Sequence, residues 1–292
     1  GGAMHIPPTT DERMKKKGGE RKKHVIRRMF FAALLLFFIG LALFGVTVLV
    51  LVRNLPSVGQ ITSRRVEEST KIFDRTGAEL LYEISGGAKR TVIPFEDIPQ
   101  YVKDATIAIE DENFYEGPGF DWRAIVRAFW ENLIHGRIVM GGSTITQQLA
   151  KKAFLTDRQT IGRKLKELIL AVQLSRHYSK GQILTFYLNE IPYGPTLYGL
   201  EAASEAYFNK HAKDLTLPEA ALLAAIPQAP SYYFPYGNHV KELIGRKQYV
   251  LKRMRALGKI DDQELAAALE AELSFAPQTR GIRAPHFVIA VQ

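Results

Sequence analysis

From position 29 to position 52 the chain carries one apolar run, MFFAALLLFFIGLALFGVTVLVLV, without a single charge. Beyond it the pattern changes twice. Thr70–Asp74 and Glu79–Ile84 flank an Arg75-Thr76-Gly77 turn and read as a β-hairpin, and Arg90–Pro94 predicts a further short strand. From Pro99 onward the apolar positions recur at about 3.6 residues, the period of an amphipathic helix. Helices are predicted over Tyr101–Glu110, Asp121–His135, Thr160–Tyr178, Ser179–Asn189, Gly199–Phe208, Thr216–Ile226, Asn238–Leu257 and Asp261–Leu273. Ser179, Thr216 and Asp261 each stand three residues before Gln or Glu, the spacing of a capping box. The outer part is therefore mainly α, with a small β-hairpin element near its start and one apolar segment before it.

The apolar run has 24 residues. At about 1.5 Å each it spans about 36 Å, enough to cross a hydrocarbon core of about 30 Å with some tilt. Residues 1–28 hold nine Lys or Arg against three acids, so this tail carries six of the nine net positive charges. Its composition reads as disordered. With the charge gathered beside an apolar span, a nucleic-acid partner loses support. The positive-inside rule instead places the tail in the cytoplasm and everything after Arg53 outside a single-pass cytoplasmic (inner) membrane. The absence of cysteine fits an outer domain that does without disulfides.

Candidate chemistry gathers around Gly141–Phe154, GGSTITQQLAKKAF, which is small and polar where the other helical stretches are apolar. Gly141 and Gly142 admit backbone conformations closed to other residues. Thr144 and Gln147 have capping-box spacing, so a helix starts there. Its exposed N–H groups and positive dipole end suit phosphate oxygens. Gln147 and Gln148 can donate and accept, and Lys151 lies one turn further on the same face as Gln147. Upstream, Glu110 and Asp111 end a helix just before Phe114. The negative pole of that helix would raise the pKa of an acid placed there, which suits a general base. Downstream, Glu167 lies one turn beyond Arg163, the spacing of an ion pair. Two carboxylates on either side of a cationic, amide-rich helix start suit transfer at a sugar carbon that bears a phosphate leaving group.

Five segments, taken in order, resemble the motifs of the peptidoglycan glycosyltransferases (glycosyltransferase family 51). They are Ile109-Glu110-Asp111-x-x-Phe114, Gly141–Lys151, Arg163-Lys164-x-x-Glu167, Lys180-x-x-Ile183-Leu184-x-x-Tyr187-Leu188-Asn189 and Pro218–Pro230. The resemblance spans about Lys71–Pro235 and is to the N-terminal part of a class A penicillin-binding protein. Ala284-Pro285-His286-Phe287 is similar to the lead-in to a transpeptidase domain, of which no Ser-x-x-Lys module is expected here. The implied fold is a lysozyme-like glycosyltransferase domain on the outer leaflet. The implied organisation is a basic cytoplasmic tail (1–28), a transmembrane helix (29–52), a connector (53–69), the glycosyltransferase domain (70–245) and a helical linker (246–292).

By the same resemblance Glu110 is the general base and Glu167 the second essential glutamate, beside the donor diphosphate. Substrate binding falls to Asp111, Phe114, Ser143, Thr144, Gln147, Gln148, Lys151, Arg158, Arg163 and Asn189. Lys151 and Arg163 carry the diphosphate, and Lys180 and Asn189 are more structural than chemical. Lipid II and an undecaprenyl-linked glycan strand are the implied substrates, membrane lipids and the cell-wall synthesis machinery the partners, and moenomycin an inhibitor. No cofactor is required, and Mg2+ or Mn2+ near Glu167 is the one metal candidate. Three positions depart from the family pattern: Gly117 or Pro118 where many members have His, Ser175 where many have an acid, and Gly181-Gln182 where many have Asp-Glu. Two alternatives compete, a lysozyme-like glycan hydrolase and a catalytically silent membrane-anchored scaffold.

Overall fold

The computed structural model describes residues 10–53, 55–59, 61, 70–73, 80–84, 89–117, 119, 143–155 and 160–278. The chain divides into two compact units, Gly1–Leu55 and Pro56–Gln292.

The described residues of the first unit form one helix, α1, Thr10–Arg53. The basic stretch from Thr10 to Arg28 is thus helical, where its composition alone reads as disordered. Lys, Arg and Glu are good helix formers, and the apolar run supplies a nucleus onto which they add. Within α1, Arg27–Thr47 is long and apolar enough to cross a bilayer.

The second unit opens with the predicted hairpin. β1 (Thr70–Phe73) pairs antiparallel with β2 (Leu80–Ile84), Thr70 opposite Ile84, with a bulge at Ile72/Phe73. The strand predicted at Arg90–Pro94 is only β3, Lys89–Arg90, which pairs in parallel with β4, Leu197–Tyr198. It is short because its partner is. β4 ends just before Gly199, whose φ of +84° turns the chain into the next helix. A Cβ at Gly199 would lie 3.0 Å from the Asn189 carbonyl oxygen, so a side chain there would be strained and crowded.

Among the described residues eight α-helices follow: α2 (Gln100–Glu110), α3 (Ile145–Phe154), α4 (Ile161–His177), α5 (Lys180–Glu190), α6 (Leu200–Phe208), α7 (Leu217–Ala225), α8 (Val240–Ala256) and α9 (Asp262–Glu270). Their starts are those the sequence predicts. Thr144, Ser179, Thr216 and Asp261 each form a capping box with Gln147, Gln182, Glu219 and Glu264. α9 ends three residues earlier than predicted. The predicted helix Asp121–His135 and the Ala284–Phe287 segment lie outside the described residues.

Two helical groups form the core. α2, α7 and α8 pack on one another, and α3 packs on α4 and α5. Ile145, Leu149, Leu170, Leu174, Ile183 and Leu184 are fully buried in the second group. Position 245 falls inside α8, which runs unbroken to Ala256. α9 is tied back as well: the buried Lys247 donates from Nζ to the Ala268 carbonyl at 3.3 Å, and Tyr101 of α2 donates to Glu264 at 2.8 Å. The connector also takes part, with Val58 and Ile61 buried and the Val58 carbonyl accepting from Tyr178 Oη at 3.1 Å.

One loop closure gives a pH-dependent prediction. Glu201, in the first turn of α6 and 5% exposed, accepts from the Ala212 N–H at 2.8 Å through Oε2. Its Oε1 lies 2.6 Å from His211 Nδ1. The hydrogen bond to Glu201, and then its charge, raise the His211 pKa. A raised pKa means that folding favours the protonated ring. That stabilisation is complete below the unfolded value of about 6.5 and is lost as pH rises through the folded value. The difference in melting temperature between wild type and His211→Ala should therefore be largest in acid and shrink above neutrality. A difference independent of pH would show that the ion pair contributes nothing.

Candidate active site

The site is built where the end of α2 meets the start of α3. Glu110 is the last residue of α2, and Asp111 leaves the helix in an extended conformation (φ −162°, ψ 80°). Asp111 Oδ2 accepts from the Ile145 N–H at 3.3 Å, placing an acid on the positive end of α3. Three residues on, Phe114 is 1% exposed and anchors the turn. Lys180 of α5 closes that turn from the other side. Its Nζ donates to the Gly117 carbonyl at 2.6 Å and sits 4.8 Å over the Phe114 ring.

At the start of α3 the Thr144 hydroxyl does two things. It accepts from the Gln147 N–H at 3.3 Å and donates to the Gly119 carbonyl at 2.7 Å. Gly119 has φ +84°, and a Cβ there would fall 2.0 Å from Ser175 Oγ, so this approach requires glycine. The Gln148 side chain then connects three elements. Its Nε2 donates to Glu110 Oε2 at 2.6 Å and to the Ser143 carbonyl at 3.4 Å, while Oε1 accepts from Tyr187 Oη of α5 at 3.3 Å.

Glu110 has a raised pKa, and the largest cause is burial. The Gln148 hydrogen bond and the charge of Arg246 pull it back, and Asp111 pushes it up. Helix polarity is the reason legible in the sequence; desolvation is the dominant one in the structure.

On the other side of α3, Lys164 Nζ donates to Ser143 Oγ at 2.9 Å and to Glu167 Oε1. Arg163 Nη1 is 3.6 Å from Glu167 Oε2. The spacing alone suggests a surface ion pair, yet Glu167 is 2% exposed. A continuous polar path thus runs Glu110, Gln148, Ser143, Lys164, Glu167. Along it two buried donors have no partner among the described residues, Gln147 Nε2 and Arg163 Nε, while Arg163 Nη1 meets Glu167 only across 3.6 Å. Unmet donors of this kind are rare in buried positions and suit an anionic ligand.

The structure therefore brings together Glu110, Asp111, Ser143, Thr144, Gln147, Gln148, Arg163 and Glu167. Lys151 lies one turn further along α3. Asn189 is committed elsewhere. It is 6% exposed, exchanges two hydrogen bonds with the Ile93 backbone at 2.9 and 3.0 Å, and donates to the Thr185 carbonyl at 3.0 Å. It fixes α5 to the strand segment before α2 and has no amide group left for a ligand. Arg158, Gly141 and Gly142 lie outside the described residues. Three contributors have no role assigned in the sequence reading. Lys164 and Tyr187 stand in the quoted motifs as positions only; Lys164 also has i, i+3 spacing to Glu167, while a tyrosine in an apolar helix stripe reads as core. Arg246 lies beyond the five motif segments.

Glu167 does not fit a resident Mg2+ or Mn2+. One oxygen is on Lys164 and the other faces Arg163, with no second carboxylate beside them among the described residues. Among the described residues the cluster with metal-ligand spacing is Glu201, Glu205 and His211.

A family model for Transglycosylase matches residues 77–255. The chain is 42% identical over 237 residues to penicillin-binding protein 1A of Aquifex aeolicus, covering 81% of this chain and 32% of that protein. It is 39% identical over 245 residues to penicillin-binding protein 1A of Pseudomonas aeruginosa, covering 83% and 29%. It is 45% identical over 202 residues to penicillin-binding protein 1F of Bacillus subtilis, covering 68% and 28%. The chain thus spans about a third of the length of the curated relatives it matches. A crystal structure of penicillin-binding protein 1A from Haemophilus influenzae aligns with a TM-score of 0.44 at 24% identity, over 78% of this chain and 24% of that one.

Burial of Glu110 yields a stability prediction. Its folded pKa is raised, so the neutral acid folds better than the anion. The favourable contribution is complete below the unfolded value of about 4.5 and is lost as pH rises through the folded value. Glu110→Gln keeps an acceptor for Gln148 and removes the buried charge. It should melt at a higher temperature than wild type at neutral pH, and the two should converge below about pH 4.5. A variant that is less stable at neutral pH would show that the charge is not a burden on the fold.

Proposed function

The chain belongs to the transglycosylase family, and we propose that it is a peptidoglycan glycosyltransferase that polymerises lipid II into β-1,4 glycan strands for the bacterial cell wall. The observation that carries this reading is the polar path across the start of α3. It sets a half-buried carboxylate with a raised pKa at one end and a carboxylate clamped by two cations at the other.

Glu110 takes the proton from the 4-hydroxyl of the acceptor GlcNAc. Its raised pKa makes it a stronger base while it remains ionised. The acceptor oxygen attacks C1 of the donor sugar from the face opposite the diphosphate. The C1–O bond to the diphosphate breaks, the configuration inverts and undecaprenyl diphosphate leaves. Arg163, Lys164 and Lys151 receive the charge that develops on the departing diphosphate. The unmet donors of Gln147 and Arg163 suit its oxygens. Glu167 holds Arg163 and Lys164 in place, and Ser143 orients Lys164.

The hydrolase alternative fits less well. A glycan hydrolase that activates water needs a second carboxylate able to accept a proton or attack the sugar. Glu167 is buried and bound to two cations, which suits neither task. The anchoring reading is that α1 crosses the inner membrane with the basic end inside and the large unit outside. Protease added to intact spheroplasts should then digest the large unit and spare the tail; protection of the large unit would reverse the orientation.

Labelled lipid II incubated with the protein should give polymer on a gel. Cleavage of preformed strands without polymer would favour the hydrolase. Glu110→Gln should slow polymerisation on the order of 10²–10⁴-fold, the range for loss of general acid–base catalysis, while still binding a non-reactive lipid II analogue. Glu167→Gln should weaken analogue binding as well as rate, because it releases both cations. If Glu110→Gln polymerises at the wild-type rate, the assignment of the base fails.

A further inference from the structure

α5 carries an apolar stripe, Ile183, Leu184, Tyr187 and Leu188, all fully buried. Packing at position 187 needs only a ring, which Phe would supply. Tyr187 adds a hydroxyl, and a buried hydroxyl is costly unless it is hydrogen-bonded. Among the described residues that hydroxyl has one partner: it donates to Gln148 Oε1 at 3.3 Å. The other end of the same amide, Nε2, donates to Glu110 Oε2 at 2.6 Å and to the Ser143 carbonyl at 3.4 Å. Phenol, amide and carboxylate thus form one chain of hydrogen bonds from α5 through α3 to the end of α2.

We propose that Tyr187 is a positioning residue for Glu110: by donating to Gln148 Oε1 it holds the amide with Nε2 toward the carboxylate and denies a protonated Glu110 an acceptor there. This rests on the reading of Glu110 as the general base. The two ends of a carboxamide are nearly equal in size, so packing does not tell them apart and hydrogen bonding must. While Glu110 is ionised, its charge and the Ser143 carbonyl both favour Nε2 on their side. Once Glu110 has taken the proton of the acceptor hydroxyl, its own preference is gone. A free amide would then turn, present Oε1 and accept from the new O–H, which favours the acid form. Turned in this way, the amide would offer Nε2 to the Tyr187 oxygen. The phenol's own proton would be left buried without an acceptor among the described residues, at the full cost of an unmade hydrogen bond. Tyr187 therefore opposes the turn at the stage when Glu110 does not, and Glu110 gives its proton up more readily.

The other groups around Glu110 leave this task to the amide, whose hydrogen bond is the one made to that carboxylate among the described residues. Asp111 follows Glu110 in the chain and opposes its ionisation, and the charge of Arg246 on α8 favours it. Two other α8 cations, Lys247 and Arg253, are spent on the Ala268 carbonyl and on Glu112. Lys180 of α5 is spent on the Gly117 carbonyl. Tyr193, beyond α5, is a second phenol that burial keeps neutral. α7 carries only Ala and Leu over Ala220–Ala225, and its acid, Glu219, pairs with Lys210.

Tyr187→Phe keeps the ring and removes the hydroxyl. Its amide can turn and stabilise the acid form of Glu110, so the acid limb of the pH profile of lipid II polymerisation should move to higher pH than in wild type. An equal loss of rate at every pH, with the limb unmoved, would assign Tyr187 to packing and overturn the proposal. Gln148→Met removes the amide at similar length. In that background Tyr187→Phe should move the limb no further, and a second move of the same size would show that the hydroxyl does not act through Gln148. Another measurement does not depend on activity. The gain in melting temperature from Glu110→Gln at neutral pH should be larger in the Tyr187→Phe background than in wild type, and equal gains would also overturn the proposal. If the wild-type protein makes no polymer, the reading of the enzyme fails, and the melting comparison still decides whether Tyr187 acts on Glu110.

Discussion

The Gln148 side chain is the constraint on which the site depends. A carboxamide has one donating and one accepting end, so its orientation is fixed as soon as its neighbours are. Here Nε2 must meet the Glu110 carboxylate and Oε1 must meet the Tyr187 hydroxyl. One amide thereby joins the group of α2, α7 and α8 to the group of α3, α4 and α5. Its own place is set by the helix start at Thr144, which the capping box with Gln147 defines. Local sequence, helix entry and the position of the buried acid are consequently one problem with one solution.

The two glutamates show how the same functional group is given opposite properties by its surroundings. Glu110 is half-buried beside a neutral amide, so it carries a raised pKa and remains able to exchange a proton. Glu167 is more deeply buried and faces a cation with each oxygen. Burial alone would have made the two alike. The difference lies in whether the nearest partner is a dipole or an ion.

Much of this is legible in the sequence itself. The helix starts are, because capping residues act within one turn and need no tertiary context; Thr144, Ser179, Thr216 and Asp261 all behave as their spacing predicts. The proximity of Glu110 and Gln148 is legible only through the resemblance of the motif set. Three things are not. The parallel pairing of Lys89–Arg90 with Leu197–Tyr198 joins residues too far apart for a local pattern to reveal. The burial of Glu167 depends on packing around α4, whereas its i, i+4 spacing to Arg163 looks the same on an exposed helix. Asn189 carries a polar side chain of the kind that binds sugars, yet its hydrogen bonds are spent on the Ile93 and Thr185 backbone. Sequence identifies the donor and cannot say what it donates to.

The contact between Gly119 and Ser175 has a consequence for how such a chain can change over generations. Any side chain at 119 would be built into the Ser175 hydroxyl, and Gly119 also supplies the carbonyl that receives the Thr144 proton. The left-handed φ of Gly119 strains any side chain there whatever residue stands at 175, 56 places on in the numbering. The Ser175 hydroxyl has no hydrogen-bond partner among the described residues, so a smaller residue at 175 removes the crowding and leaves the strain. The loop before α3 is thus held to glycine by its own backbone first and by its neighbour second, and a change at 175 alone does not open position 119 to other residues.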